Sequence, residues 1–435
     1  MKTKYVILTL LSCFLTVITT LVFHGGILSD SPLYLHLAHQ YSEFNFLDPV
    51  SNYYGRHFYA VFLAIIGTVI SYNYIVIGIM QTLLFCLSSF ILVKELEKYL
   101  NKNLLGLLLL LFLVPEIHFY NGSVFTESLG YSLIILVFAF ALKIHNGKSS
   151  VWNILVLSSL IGFTILNRME CGVCIIPAFY LIFPQIKDKL IVRGLVFISI
   201  PIFLLLLNGY QNYKIYNIFK VTALNGGEVI FGGNNENLDG SYHRFGMYKE
   251  IFIPKDKIED FTKIESLPPF DFYRERDSLY LIMAKDAWRK DPIKQLGVIP
   301  EKFCKTWLLP GFFDIYTADT TKTRGLQLSY LLSKENFHNA WYAPYKHLFY
   351  IIIHWLLLLM ILWGIFQIKR SNRFQISILF LLILYVLFSI PFCSLPRYHV
   401  TLFPILIIAF TPFSLINKLN NVLKAYFGKY FLGEK

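Results

Sequence analysis

The chain has 435 residues, of which 56% are hydrophobic and only 15% are charged. An ordinary soluble domain carries about 25% charged residues, so this composition excludes that class and predicts an all-α polytopic membrane protein. The net charge of +12 lies largely in short loops between apolar runs. It indicates anionic lipid headgroups as neighbours and no nucleic-acid partner.

Apolar runs that approach the roughly 20 residues of a membrane-spanning helix predict about ten transmembrane helices. They lie at 5–24, 74–93, 103–115, 124–143, 151–166, 171–184, 190–209, 347–367, 375–391 and 399–416. A further apolar run, from His57 to Ile70, is rich in aromatic residues, as segments at the headgroup level are. We interpret it as an interfacial or re-entrant, juxtamembrane helix within a first outer loop, 25–73.

These runs divide the chain into three regions. An N-terminal transmembrane module, 1–209, contains seven spans, and a C-terminal transmembrane module, 347–435, contains three spans and a tail. Residues 210–346 have ordinary soluble composition and predict an extracytoplasmic subdomain. Short β-type runs with glycine and asparagine turns between Val221 and Tyr242, followed by helical spacing from Tyr280 to Trp288, predict a mixed α/β fold for it.

Lysine and arginine cluster in alternate short loops, which the positive-inside rule places in the cytoplasm. The alternation predicts that both termini are cytoplasmic. The N-terminal segment has a basic start and a long apolar stretch without a small-residue cleavage site, so we interpret it as a retained signal anchor. The composition, rich in lysine, asparagine and isoleucine without a retrieval signal, favours a bacterial inner membrane.

The short loops of the predicted outer face bring a set of polar side chains together. The set is Asp30, Tyr34, Arg56, Glu116, His118, Glu127, Arg168, Glu170, Arg397 and Tyr398. Carboxylates act as general bases or hold a cation, and a guanidinium matches two oxygens of a phosphate. The same residues also suit plain structural roles: inter-helix ion pairs for the glutamates, an interface contact for His118, and a helix cap at Asp30 or Ser31 before Pro32.

Metal and nucleotide motifs are absent from the sequence. There is no Asp-x-Asp, no His-x-x-x-His and no Cys/His cluster of ligand spacing, so no metal or other cofactor is predicted, although a divalent metal stays open. No glycine-rich nucleotide loop is present, which disfavours ATP-driven transport. Asn234 and Asn235 offer amides of the kind that bind sugar hydroxyls, and equally suit a tight turn.

Four short motifs occur along the chain. They are Asp30-x3-Tyr34-x3-Ala38 after the first span, the aromatic segment Tyr53–Tyr59, Thr126-Glu127-Ser128-Leu129, and Pro396-Arg397-Tyr398-His399 leading to Leu402-Phe403-Pro404. Together they resemble the C superfamily of membrane glycosyltransferases, which includes the protein O-mannosyltransferases and the aminoarabinose transferases. Ser31 departs from the pattern, because many members have a second acid there, and this leaves the metal and the donor sugar open.

The resemblance implies that a sugar moves, with inversion, from a polyprenyl-phosphate donor to an extracytoplasmic lipid, glycan or protein. It implies catalytic roles for Asp30, as the general base, and for Glu127, which would orient the acceptor. Contacts to the donor phosphate would come from Arg397, Arg56, Arg168 and Tyr398. Other substrate contacts would come from Tyr34, His57, Glu170, Asn234 and Asn235. Membrane lipids would surround the apolar flanks.

Two other functions also suit the predicted topology. An O-antigen ligase or polysaccharide polymerase would rely on arginine and histidine in the large loop instead of an acid after the first span. A non-enzymatic lipid flippase or transporter would leave the sugar bond intact. Secondary transporters need charged or broken-helix sites near the bilayer midplane, whereas the polar groups here lie at one edge.

The predicted orientation is testable with single cysteines in a background that lacks the native ones. We expect Asp30→Cys to react with a membrane-impermeant maleimide on intact cells, and Lys98→Cys to react only after permeabilisation, because the two positions lie on opposite faces. Labelling of position 98 but not of position 30 on intact cells would invert the topology.

Overall fold

The computed structural model describes residues 3–22, 30–47, 55–234, 253–308, 343–392 and 396–432. Within these ranges the chain forms α-helices joined by short turns and contains no β-strand. The N-terminal half has α1 (Thr3–Val22), α2 (Ser31–Ser42), α3 (His57–Val69), α4 (Tyr74–Leu100), α5 (Leu105–Phe112), α6 (Pro115–Asn121), α7 (Thr126–His145), α8 (Val151–Asn167), α9 (Ile175–Ile186) and α10 (Leu190–Tyr216).

The second half continues in the same way. It has α11 (Gly226–Gly233), α12 (Ile258–Glu265), α13 (Pro269–Lys290), α14 (Pro292–Gly297), α15 (Ile299–Trp307), α16 (Ala343–Phe366), α17 (Arg373–Ser389), α18 (Phe403–Phe410) and α19 (Phe413–Leu432). Two 3-10 turns connect helices near the buried polar groups of the bundle, Met169–Cys174 and Pro396–Thr401.

Local sequence explains several helix boundaries. The side chains of Asn73 and Asn372 accept hydrogen bonds from backbone amides in the first turns of α4 and α17, at 2.8 and 3.1 Å. Such caps satisfy amides that have no partner within the helix. At the other ends of α4 and α10, Asn101 and Asn217 adopt the left-handed conformation, with φ of 51° and 56°. Asparagine tolerates this conformation better than most residues, so both helices stop there.

Four helical stretches in the described chain are long and apolar enough to cross a membrane. They are Thr3–Leu21, Tyr74–Leu100, Thr126–His145 and Met169–Tyr216. A fifth arises only if α18 and α19, which are bent by 90° at their junction, form one span. Large apolar side chains stay exposed along these helices, for example Phe14 at 61% and Ile191 at 79%. Such surfaces are those of a membrane-embedded protein.

The prediction of about ten spans is not supported. The run 103–115 corresponds to α5, whose eight residues cover only about 12 Å of a hydrocarbon layer about 30 Å thick. The helix ends there because Pro115 starts a new one, α6. The runs 171–184 and 190–209 belong to one 48-residue helical stretch, and α8, α17 and the apolar part of α16 are shorter helices. Hydropathy alone therefore counted more spans than the helices provide.

The centre of the bundle is α7. It packs against α4, α8 and α9, and against the Pro396–Thr401 turn and α18. Every residue from Thr126 to Ile135 is buried, although successive positions of a helix face different directions. A helix that is covered on every side suits such a central position. The N-terminus of α7 is thereby held among several neighbouring elements.

The predicted mixed α/β subdomain is not supported, because the described part of 210–346 forms only helices. Gly226–Gly233, which lies in the stretch expected to contain β-type runs, is helix α11. It packs on α13, where the Gly227 amide donates to Oδ1 of Asp277 at 2.6 Å and Lys220 Nζ lies 2.9 Å from Oδ2. The helical spacing predicted from Tyr280 to Trp288 is confirmed, since it lies within α13.

The close approach of α11 to α13 is testable at Gly227. A Cβ there would meet the Asp277 carbonyl oxygen closer than real Cβ atoms come, so Gly227→Ala forces the two helices apart. We expect a loss of about 1–3 kcal/mol in the free energy of unfolding, measured by denaturation in detergent. In the control, Gly194→Ala, the added Cβ meets nothing within 4 Å, and stability should hold or rise. Equal stability of the two variants would contradict this packing.

Candidate functional site

The buried Arg168 guanidinium links three elements: the end of α8, the Met169–Cys174 turn and the start of α7. Arg168 lies between α8 and the Met169–Cys174 turn with an extended backbone, φ −148° and ψ 111°. Its Nη1 atom lies 2.5 Å from Oε1 of Glu127 in the first turn of α7, and its Nη2 atom lies 2.6 Å from Oε1 of Glu170. The Arg168 and Glu127 side chains are each only 2% exposed. Two carboxylates therefore compensate one buried positive charge.

Further hydrogen bonds hold the same junction. Nη1 of Arg168 also donates to Oγ1 of Thr126 at 3.3 Å, and the Asn167 amide donates to the Thr126 carbonyl at 3.0 Å. These bonds tie the last residue of α8 to the first residue of α7. The positions of the Glu127 carboxylate and the Arg168 guanidinium are thus set by backbone as well as by charge.

Arg56 lies at the outer side of this network and is held more weakly. Its Nη1 atom lies 3.8 Å from Oε2 of Glu170 and donates to the Asn167 carbonyl at 3.4 Å. The Arg56 side chain is 23% exposed, against 2% for Arg168. Because long, partly solvated ion pairs contribute little free energy, this guanidinium can exchange its partner for another anion. We call Arg56, Glu127, Arg168 and Glu170 the charge network.

Asp30 precedes α2 at the helix N-cap position, with α-type dihedral angles of −93° and −9°. Its carboxylate makes no capping hydrogen bond to the first amides of α2, so the predicted capping contact is absent from this helix end. The neighbouring Ser31 hydroxyl donates to the Val124 carbonyl at 3.1 Å. This bond places the start of α2 beside the segment that leads into Glu127 and the charge network.

Two of the predicted substrate contacts are largely buried. Tyr34 is 7% exposed, and its ring meets the ring of Tyr59 edge to face at 5.4 Å between centroids. His57 is also 7% exposed, and its Nδ1 atom forms a hydrogen bond with the Tyr41 hydroxyl. Both side chains help to pack α2 on α3, so they support the positions of Asp30 and Arg56 at the starts of these helices.

The Pro396–Thr401 turn reaches the charge network from the C-terminal part of the chain. The guanidinium carbon of Arg168 lies 5.7 Å from the centroid of the Tyr398 ring. The Tyr385 hydroxyl in α17 donates to the Tyr398 carbonyl at 2.9 Å, which fixes the turn. The backbone of Arg397 belongs to this turn, and its side chain lies outside the described residues.

The described hydrogen bonds of Asn234 hold helices together and include none to the charge network. Its Oδ1 atom accepts hydrogen bonds from Trp288 Nε1 at 3.1 Å and from Lys302 Nζ at 3.2 Å. Its amide donates to the Ile230 carbonyl at 2.6 Å, and the residue is 1% exposed. These contacts link α11 to α13 and α15, a structural role. Asn235 lies outside the described residues.

Glu116 belongs to a second cluster, with two histidines that are distant in the sequence. Its Oε2 atom lies 3.2 Å from Nδ1 of His354, and its Oε1 atom lies 3.3 Å from Nε2 of His399. His118 does not belong to this cluster. Its Nδ1 atom forms a hydrogen bond of 3.0 Å with the Thr16 hydroxyl, as the interpretation of His118 as an interface residue predicts.

Sequence reasoning missed this second cluster. Its members come from α6, α16 and the Pro396–Thr401 turn, and Glu116 is 238 positions from His354. No ligand spacing exists over such distances. The only signal was a histidine inside the apolar run 347–367, since polar residues within such runs are costly and usually paired.

No protein-family model, curated protein or solved structure matches this chain. The function proposed below therefore rests on the charge network and the sequence motifs alone.

The buried ion pair in the charge network is testable by truncation. Arg168→Ala leaves the Glu127 carboxylate buried opposite an empty space, and an unpaired buried charge costs about 3–5 kcal/mol. We expect that loss in the free energy of unfolding. Arg56→Ala, a matched arginine at the exposed side of the same network, should cost only about 0–1 kcal/mol. Equal losses would show that burial of the pair contributes no free energy.

Proposed function

We propose that this chain is an integral membrane glycosyltransferase that transfers a sugar from a polyprenyl-phosphate donor to an acceptor outside the cytoplasm. The observation that carries the proposal is the charge network: Arg56, Glu127, Arg168 and Glu170 form one connected set. The resemblance to the C superfamily had assigned each of them to the site. The Ser31–Val124 bond adds Asp30 to the same region.

In the proposed reaction, an acceptor hydroxyl attacks the anomeric carbon of the donor sugar. The new carbon–oxygen bond forms as the bond to the phosphate breaks, so the configuration inverts and polyprenyl phosphate leaves. Asp30 takes the hydroxyl proton. General-base help of this kind typically contributes about 10²–10⁴ in rate.

The leaving phosphate gains negative charge as the bond breaks. Arg56 is the guanidinium best placed to neutralise it, because it is partly exposed and its ion pair to Glu170 is 3.8 Å long. Arg397 is the second candidate, from the motif at the Pro396–Thr401 turn. Arg168 is already held by two carboxylates, so it acts by positioning Glu127, which orients the acceptor, and Glu170.

The polyprenyl tail needs an apolar track that begins at the phosphate. Helix α3 follows directly after Arg56, and its exposed apolar residues Val61, Ile65 and Val69 recur every fourth position. On an α-helix this spacing aligns them on one face. The face leads away from the Arg56 guanidinium and suits a chain of isoprene units.

The proposal retains the predicted localisation. The protein lies in a bacterial inner membrane with both termini in the cytoplasm and the charge network on the outer face, where lipid-linked sugars are used. The open choice of lipid, glycan or protein acceptor can be resolved by comparing the masses of surface glycolipids and glycans from cells with and without the protein.

The roles of Asp30 and the arginines predict different defects. Asp30→Asn should lower sugar transfer about 100-fold or more while binding of polyprenyl phosphate is kept, because only the base is lost. Arg56→Ala and Arg397→Ala should weaken polyprenyl-phosphate binding about tenfold, the value of a charge-assisted hydrogen bond. Purified protein in liposomes provides both measurements, with radiolabelled lipid for binding.

Matched controls use exposed residues at helix junctions, Asp188→Asn between α9 and α10 and Arg370→Ala between α16 and α17, which should behave as the wild type. Wild-type transfer by both Asp30→Asn and Arg56→Ala would overturn the mechanism. Movement of the labelled lipid between leaflets with its sugar bond intact would instead identify a transporter.

A further inference from the structure

The cluster of Glu116, His354 and His399 lies outside the charge network and is deeply buried. The three residues are 4%, 2% and 0% exposed. One ligand atom from each lies within 4.8 Å of the others. Glutamate and histidine are among the side-chain types that bind transition metals in proteins.

The hydrogen bonds behind the two rings determine which ring nitrogens carry protons. Nε2 of His354 lies 3.0 Å from the Trp307 carbonyl oxygen, and Nδ1 of His399 lies 2.6 Å from the Thr306 carbonyl oxygen. A carbonyl oxygen only accepts hydrogen bonds, so each ring donates an N–H on that side. In a neutral imidazole the other nitrogen then has a lone pair. In both rings that nitrogen faces the Glu116 carboxylate.

The lone pair of a histidine nitrogen and a carboxylate oxygen repel each other unless a positive charge lies between them. Two extra protons would satisfy both rings, but they would create two imidazolium ions with ring centroids 4.8 Å apart inside the protein. Among the described residues, Nε2 of His399 also has no hydrogen-bond partner of acceptable geometry. A single metal cation satisfies the carboxylate and both lone pairs at once.

We propose that Glu116, His354 and His399 bind one divalent transition-metal ion, with Zn²⁺ as the best match. Nδ1 of His354 lies 3.2 Å from Oε2 of Glu116 and Nε2 of His399 lies 3.3 Å from Oε1, and each distance is close to the edge of a tetrahedron with metal bonds of about 2.0–2.1 Å. The N–H of each ring bonded to a carbonyl is the usual second shell of a metal-bound histidine. Imidazole ligands disfavour Mg²⁺ and Ca²⁺, which prefer oxygen.

The ion would connect distant parts of the fold. It joins α6 and α16 to the Pro396–Thr401 turn, and the residue before His399, Tyr398, lies over Arg168 of the charge network. The metal therefore holds the turn that reaches the network. This inference does not depend on the proposed glycosyltransferase activity.

The first test needs no variant. The full-length protein is purified in detergent without chelators, its metal content is measured by mass spectrometry, and the bound zinc is examined by X-ray absorption. We expect one zinc per chain with two imidazole ligands and oxygen, at about 2.0–2.1 Å, and no sulfur. Sulfur ligation, or a chain that holds no zinc and binds none when Zn²⁺ is added, overturns the proposal.

Variants then assign the ligands by zinc content alone. Glu116→Gln and His399→Ala should lose the zinc, whereas His118→Gln, a buried histidine of the same helix α6, should retain it. Full zinc content in either of the first two variants, when monodisperse and helical, contradicts the assignment. His354→Cys replaces one ligand by another, so it should keep zinc and add one sulfur ligand to the absorption spectrum. An unchanged spectrum of zinc-bound His354→Cys counts against the site even if the other variants do not fold.

Discussion

The site depends on the ion pairs that compensate the positive charge of the buried Arg168 guanidinium. A positive charge that is 2% exposed within an apolar helical bundle is stable only beside carboxylates. Glu127 and Glu170 meet this need from two different elements, the start of α7 and the turn after α8. The ends of these helices must therefore stay together, and the partly exposed Arg56 remains available at the edge of the network.

The Pro396–Thr401 turn connects this network to the second polar cluster. Tyr398 lies over the Arg168 guanidinium, and the next residue, His399, faces Glu116. Adjacent residues of one turn thus contact two buried charged groups. The two clusters are therefore joined by one short segment of backbone. A metal bound at the second cluster would hold the turn that places Tyr398 against Arg168.

Some features were predictable because they depend on neighbouring residues. The helical spacing from Tyr280 to Trp288 lies within α13, and the apolar composition is that of a membrane-embedded protein. The count of ten spans failed because hydropathy measures apolar content, whereas a span also needs unbroken helix length, which α5 lacks. The prediction of β-type runs after Val221 was wrong because residues Gly226–Gly233 form a helix. Gly227 lets this helix approach Asp277 closely, so packing outweighed local propensity.

The sequence by itself determined the apolar class of the protein and proposed Glu127, Arg168, Glu170 and Arg56 as one polar set. Their residue types and their places at the ends of apolar runs carried that information. Only the tertiary structure decided which charges pair and which remain exposed. It also showed that Glu116 contacts two histidines and is not part of the charge network. Pairing depends on distances between elements far apart in the chain, and no local pattern encodes those distances.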